Sequence, residues 1–369
     1  MSLLRNAGLA ARWPAYQGFR AVGWPVPRPM TMSFVVTDRC NSRCDTCQIG
    51  ARYLEDPSVA DSDLTFDELR RVFRSLGRVE WVTLSGGEPF MRPDLAELIV
   101  ACARACRPRV INIPTNGTIV RATVRAVRRA LVDLGPTQLV LNISVDGIGE
   151  QHDLVRGFAG NFSRIQALLK ALREIHDPRL VVGCNTVVSA FNAERVPETI
   201  DHVLDVLRPD HYVLEVAQIR PEYYNAATPL HAANSDVRRA LEHAVTRTAA
   251  QPRHGIAAVT KAFRLRYYQE AIERLQGPIE HRCFSAFATC AVMPGGEVWS
   301  STERGEVMGD LRDFDFDFAA LWRSEGARRV RAQIRARPCD CQASNVSYPN
   351  ALLSPAKLAR VAWYALRHR

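Results

Sequence analysis

Cys40, Cys44 and Cys47 stand in the run Cys40-Asn-Ser-Arg-Cys44-Asp-Thr-Cys47, three thiols in a C-x3-C-x2-C spacing. Placed in a loop just after an apolar strand-like run, they can converge as thiolates on one metal centre. A structural zinc site closes with four ligands, and a cubane cluster held by protein alone uses four cysteines. Three local cysteines leave one metal position open, and an open position is reactive. A zinc knuckle completed by a remote Cys or His, or three unrelated reduced thiols, is the plainer alternative.

Further polar groups fall where strands give way to loops, the edge at which parallel α/β folds carry their chemistry. Ser85-Gly86-Gly87-Glu88-Pro89 pairs glycines, which allow close backbone approach, with a carboxylate that can hold an ammonium group. Thr115-Asn116-Gly117 and Ser144-Val145-Asp146-Gly147 offer short polar side chains suited to ribose hydroxyls. His152-Asp153-Leu154-Val155-Arg156-Gly157 adds a guanidinium able to bind a carboxylate in bidentate fashion. Taken singly, an ordinary glycine turn and a surface ion pair explain Gly86-Gly87 and Arg156 as well. Arg220, Glu222, Tyr223, Tyr224 and Asn225 leave the last strand of the series, placed either to face substrate or to pack under the C-terminal part of the chain.

In these motifs and their order the chain resembles the radical SAM enzymes. The resemblance implies that Cys40, Cys44 and Cys47 hold a [4Fe-4S] cluster whose remaining iron is chelated by S-adenosylmethionine. It implies that Gly86, Gly87, Glu88, Asn116, Ser144, Asp146 and Arg156 bind that cosubstrate, Glu88 through its amine and Arg156 through its carboxylate. Reductive cleavage to a 5′-deoxyadenosyl radical and hydrogen abstraction from a substrate would follow, with a flavodoxin or ferredoxin as electron donor. One departure is Thr46, where the family usually has an aromatic residue against the adenine. Cys283, Cys290, Cys339 and Cys341, with the Pro294-Gly-Gly-Glu-Val hairpin between them, resemble a twitch or SPASM-like module and imply a second [4Fe-4S] cluster, with zinc as the alternative. Two features are irregular: Ser300 and Ser301 stand where such modules often have a cysteine, and Cys339-Asp-Cys341 is tighter than C-x2-C.

Strand and helix signals alternate to position these groups. Strands are predicted at Met30 to Thr37, Glu80 to Leu84, Arg109 to Ile113, Gln138 to Ser144, Leu180 to Val188 and Tyr212 to Ala217, with helical patterns between them. Strict alternation means βαβ units on a parallel sheet, either a doubly wound sheet or the partial (β/α)6 TIM-like barrel that the resemblance implies. Helical stretches at 235–250, 258–276 and 316–335 and one hairpin make a smaller α+β C-terminal iron–sulfur module. The expected divisions are a basic arm at 1–29, a core barrel at 30–230, the auxiliary module at 231–350 and a basic amphipathic helix at 351–369. Cys102, Cys106 and Cys184 lie on apolar faces and read as small core hydrophobes.

Charge is concentrated at the ends. Arg5, Arg12, Arg20 and Arg28 precede residue 30, and Lys357, Arg360, Arg367 and Arg369 follow residue 352, with no acid in either stretch. Those eight, taken from 48, leave 40 bases against 39 acids, so a broad nucleic-acid surface is excluded. A helix over 2–13 capped by Ser2, ended at Trp13-Pro14, and the basic tail with Trp363 and Tyr364 suit an interfacial or partner-docking role, or plain packing on the barrel. There is no signal-peptide core, and the clustered cysteines point to a reducing, cytoplasmic setting, with peripheral membrane contact through the tail. The expected function is a radical SAM oxidoreductase or transferase that modifies a peptide side chain, although only a short arm precedes the core. A lipid, isoprenoid or sugar substrate is the alternative, and a non-catalytic iron–sulfur sensor the alternative of another class. The terminal Arg367-His-Arg369, in place of paired glycines, disfavours the superfamily's molybdenum-cofactor cyclase.

Overall fold

The computed structural model describes residues 12–252, 256–337, 339–342 and 344–367. Most of the expected helix over 2–13 lies outside these residues, as does Arg369. The first described helix, α1 (Trp13–Val22), begins where a break was expected. Pro14 occupies its first turn, where the missing N–H leaves no bond unmade, and Gly23 closes it in the left-handed region at φ 83.

The alternating series runs as β1 (Thr31–Val35), α2 (Ile49–Glu55), α3 (Phe66–Leu76), β2 (Trp81–Ser85), α4 (Leu95–Cys106), β3 (Val110–Thr115), α5 (Val120–Asp133) and β4 (Gln138–Ser144). It continues through α6 (Glu150–Arg156), α7 (Asn161–Arg173), β5 (Leu180–Val188), α8 (Val196–His202) and β6 (His211–Val216). Then come α9 (Asn234–Ala250), α10 (Ile256–Arg274), β7 (Thr289–Val292), β8 (Glu297–Trp299), β9 (Val307–Asp310), α11 (Phe318–Arg323), α12 (Glu325–Ala336), α13 (Ser344–Leu352) and α14 (Pro355–Arg367). The helix expected over 316–335 is two, because Ser324 is extended and caps α12 through Ala327 N.

One sheet holds every described strand, in the order β6-β5-β4-β3-β2-β1-β7-β8-β9. β1 to β6 run parallel in sequence order without the reversal of a doubly wound sheet, and β6 does not meet β9, so the barrel is open. β7 pairs parallel with β1, Met32 opposite Cys290, and β8 and β9 add antiparallel to it. The C-terminal module therefore continues the barrel sheet.

Side-chain alternation divides that sheet into two faces. Ile111, Ile113, Leu141 and Ile143 are fully buried on the helical side. Asn112 and Asn142 face inward, joined by a 2.7 Å bond from Asn142 Nδ2 to Asn112 Oδ1, with His211 Nε2 2.7 Å from Asn142 Oδ1. Helix α3 illustrates the outer layer. Thr65 and Glu68 form its capping box, and Leu69, Val72, Phe73 and Leu76 make its buried stripe, with Phe73 edge-on to Phe34 at 5.0 Å. Cys102, Cys106 and Cys184 are fully buried in this core.

The tail helix α14 lies along α10, where Lys357 Nζ meets Glu270 Oε1 at 2.7 Å and Val361 is buried. Leu358 and Trp363 remain 38% and 49% exposed. Among the described residues, no helix is long and apolar enough to cross a membrane.

Candidate functional site: a cysteine loop over the strand ends

The loop between β1 and α2 carries Cys40, Cys44 and Cys47 across the C-terminal edge of the barrel, and its neighbours fix its path. Gly87 N donates to Thr37 O at 2.9 Å and Glu88 N to Arg39 O at 2.7 Å. A Cβ on Gly86 or Gly87 would collide with the backbone of Thr37 or Arg39, so these glycines serve the approach of β2's end to the cysteine loop. Asn116 Nδ2 donates to Ser42 Oγ at 3.0 Å and to Asn41 Oδ1 at 2.9 Å. Gly157, at φ 58, abuts Arg43 O. From the far side, Gln48 N donates to Tyr223 O and Asn225 Nδ2 to Thr46 O, each at 2.9 Å.

Cys40 and Cys44 are buried and Cys47 half-buried. Burial, with Cys44 alongside, pushes the Cys40 thiol up to about 12, and burial raises Cys44 and Cys47 as well. Thiols held neutral in this way need a cation to become ligands, which is what a metal centre supplies. The three sulfurs do not all lie within 4.8 Å of one another. A single tetrahedral zinc, at about 2.3 Å from each sulfur, would draw them to roughly 3.8 Å.

Beside the loop, Glu88 is fully buried, and its oxygens accept from Phe90 N, Thr115 Oγ1 and Asn116 N at 3.0, 2.9 and 2.7 Å. Burial raises its pKa against the pull of those donors. A carboxylate has about four lone-pair sites, so one remains for an ammonium hydrogen. Asp146 takes Val187 N on Oδ1 at 2.8 Å and Arg156 Nη1 on Oδ2 at 3.1 Å. Burial alone would lower the Arg156 pKa, but Cys44 and Asp146 beside it push it up. Its Nε is buried without a hydrogen-bond partner, an orphan donor that an anionic ligand would satisfy. His152 is structural, with Asp146 N donating to its Nδ1 at 3.0 Å and its Nε2 2.9 Å from Asn161. Ser144 is half-buried on the inner face.

Other residues near the loop were not singled out by sequence. A cleft of about 520 Å³ opens beside Cys44, lined among others by Arg43, Gln48, Phe191 and Thr228. Only their placement after β5 and β6 brings Phe191 and Thr228 there, so no local pattern marks them. Of the two tyrosines, Tyr223 is half-buried against Arg220, its hydroxyl 3.3 Å from Nη1, and Arg220 also meets Glu222 at 3.2 Å. Tyr224 turns outward under Arg52, 3.6 Å from its ring centroid.

The second cysteine group is smaller than expected. Cys283, Cys339 and Cys341 are buried and lie within 4.8 Å of one another, with Cys339 and Cys341 joined as a disulfide whose reduction ligation requires. Ser285 N donates to Cys283 Sγ at 3.4 Å and Cys341 N to Cys339 Sγ at 3.2 Å, donors that suit thiolates. Cys290 is not among them. It lies on β7 facing the helical layer, its sulfur 3.2 Å from Met32 Sδ, because strand alternation turns it away from the face that Ala291 and Met293 share with Val35.

Residues 34–203 match the family model described as the Radical SAM superfamily. The Fe-coproporphyrin III synthase of Methanosarcina barkeri (strain Fusaro / DSM 804) is 31% identical over 168 residues, 45% of this chain and 39% of that protein. Pre-heme d1 synthase of Dinoroseobacter shibae (strain DSM 16493 / NCIMB 14021 / DFL 12) is 31% identical over 176 residues, 47% of this chain and 40% of that one. A GTP 3',8-cyclase of Edwardsiella ictaluri (strain 93-146) is 34% identical over 157 residues, 42% and 44% of the two chains. The chain thus spans under half the length of each of these relatives. Among solved structures, anSMEcpe with bound AdoMet shares the fold at TM-score 0.57 and 13% identity, over 92% of this chain and 93% of that one. The same protein with AdoMet and a Cp18Cys peptide gives 0.55 at 13% identity, over 92% and 97%.

Proposed function

We propose, for a chain that belongs to the radical SAM superfamily through its domain at residues 34–203, that it is an enzyme which cleaves S-adenosylmethionine reductively and removes a hydrogen atom from a peptide side chain. The observation that carries this is the convergence of the Cys40–Cys44–Cys47 loop with two groups shaped for an amino acid: Glu88, with one acceptor site left for an amine, and Arg156, with its orphan Nε. Cys40, Cys44 and Cys47 would hold the [4Fe-4S] cluster, and Ser144 and Asp146 would meet the ribose. Bound together, cluster and cosubstrate supply a 5′-deoxyadenosyl radical. The chain's own part is to clamp the amino-acid end of the cosubstrate, brace the loop through Asn116 and Asn225, and keep water from the reacting atoms. A flavodoxin or ferredoxin would deliver the electron, in a reducing cytoplasm.

Support for a peptide comes from the fold likeness to anSMEcpe, which runs over both barrel and C-terminal module and includes a peptide complex. A second reading, a tetrapyrrole, is favoured by the names of the relatives that share the core. Cys283, Cys339 and Cys341 would ligate a second cluster.

The test is iron and sulfide content of anaerobically reconstituted chain, with 5′-deoxyadenosine measured after reduction. Two cubanes predict about eight irons, falling to about four in Cys40→Ala/Cys44→Ala/Cys47→Ala. Loaded, reduced protein that forms no 5′-deoxyadenosine would end the enzymatic reading. Faster formation with a synthetic peptide pool than with coproporphyrin III separates the two substrates.

A further inference from the structure

The C-terminal end of α1 meets α12 at one corner of the molecule. Gly23 closes α1 in the left-handed region, and a Cβ placed on it would stand 3.8 Å from Arg335 Nη1. The chain then doubles back so tightly that a Cβ on Gly18 would meet Trp24 O at 2.9 Å. Val22 and Trp24 flank this turn and point outward, 77% and 75% exposed.

Around them stand arginines without acids. Arg328, Arg331 and Arg335 share the face of α12 that packs on α1, where Arg331 lies over the rings of Phe19 and Trp322 at 4.7 and 4.2 Å. The Phe287 ring takes Arg20 at 5.2 Å and Arg335 at 5.9 Å. Arg282, Arg328 and Arg335 are exposed, whereas Arg20 and Arg331 are buried. The buried pair bond to backbone carbonyls, Arg20 to Cys283 O and Arg331 to Ala286 O at 2.9 and 2.7 Å, and Arg331 Nη2 has no partner. Burial lowers the Arg20 pKa, with Arg282 and Arg335 adding to the effect, and burial with Arg335 and Arg328 alongside brings Arg331 down to about 10. Positive charge is concentrated here, and among the described residues no carboxylate pairs with any of the five.

This corner adjoins the second cysteine group, since Arg282 precedes Cys283 and Arg20 holds the Cys283 carbonyl. Tryptophan and arginine are the side chains that most often anchor protein interfaces, and an anchor already fixed by its turn loses little freedom on binding. Two apolar side chains offer little to insert into a bilayer, while unneutralised arginines complement an acidic protein face. Of acidic proteins, the one that the proposed chemistry requires is an electron donor.

We propose that the Val22–Trp24 turn, with Arg282 and Arg335, is the docking surface for an electron-carrying protein with an acidic face, seated beside the Cys283 group. This rests on the reading of the chain as an enzyme that cleaves S-adenosylmethionine reductively: the partner is oxidised by one electron per cleavage, and the sulfonium carbon–sulfur bond that breaks takes it up. Trp24 is the apolar anchor, and the arginines steer the acidic face onto it.

The test titrates the full, anaerobically reconstituted chain with an acidic flavodoxin by calorimetry at low and high salt. Parent, Trp24→Ser and Arg335→Glu are compared with Arg121→Glu, which makes the same charge change on the exposed side of α5. Trp24→Ser and Arg335→Glu should each weaken binding by at least about tenfold, the loss expected of an interface anchor. Arg121→Glu should bind as the parent does, and the parent's affinity should fall with salt. Dithionite, which needs no docking surface, should drive 5′-deoxyadenosine formation equally in all four, while flavodoxin-driven formation falls in Trp24→Ser and Arg335→Glu alone. Normal dithionite turnover with flavodoxin affinity unaltered in both variants, or with no flavodoxin binding by the parent, overturns this inference alone. Variants that lose phosphatidylglycerol vesicles yet keep flavodoxin affinity overturn it in favour of a membrane surface. A loaded parent that forms no 5′-deoxyadenosine even with dithionite overturns the enzymatic reading and this inference with it.

Discussion

Cys290 Sγ lies 3.2 Å from Met32 Sδ across the β1–β7 pairing, on the helical side of the sheet. It is a core thiol between strands. Cys290→Ala should therefore leave the metal content of the C-terminal module unchanged and cost only the stability of a small buried side chain, about 1 kcal/mol per lost methylene-sized group. Cys283→Ala, by contrast, should lower the metal content. Iron and zinc analysis of the two variants side by side checks this, and equal metal loss in both would refute the assignment.

The orphan Nε of Arg156 predicts where cosubstrate affinity resides. Hydrogen bonds to charged groups contribute about 1.5–3 kcal/mol, so Arg156→Gln should weaken S-adenosylmethionine binding by roughly ten- to a hundredfold. Equilibrium dialysis on reconstituted protein measures it.

Gly157 closes α6 at φ 58 against Arg43 O. An alanine there costs about 1–2 kcal/mol from its backbone alone and pushes the cysteine loop outward. Gly157→Ala should lower both the melting temperature and the iron retained at Cys40, Cys44 and Cys47. Gly135→Ala, at φ 68 with nothing within 4 Å of the added Cβ, should lower the melting temperature without touching iron.

The seat of α14 should titrate with acid. Burial would raise the Glu270 carboxyl, but Lys357, Arg274 and Arg266 bring it down from 4.5 to about 2. A depressed carboxyl stabilises the folded state fully above its unfolded pKa, and that stability drains as pH falls from about 4.5 toward 2. Hydrogen exchange of α14 should accelerate through this window. In Glu270→Gln, exchange should be faster at neutral pH and flat across the same window, since three cations then surround a neutral amide.

Much of the core was legible. The bounds of α3, β4 and β5 match their periodicity, and the strand-end motifs fall around one loop because parallel strands deliver their C-terminal ends to one edge. Pro14 misled, since proline opens a helix as readily as it stops one. Cys290 stands outside the three-cysteine group for a deeper reason. Counting thiols carries no direction, and its direction comes from a register with β1 that no local window contains. Phe191 gave no signal, because it is placed beside the loop by a segment far along the chain.

That same pairing has a consequence for how the molecule is made. The partner of Met32 arrives 258 residues later, so during synthesis one side of β1 stays bare until almost four-fifths of the chain has left the ribosome. A bare strand edge is a template for aggregation and a slow, long-range contact to form. The cysteine loop hangs from that strand. Nascent chains are thus most vulnerable to misassembly and to oxidation at Cys40 and Cys44 during this interval, and yield in a cell will depend on how fast β7 is delivered.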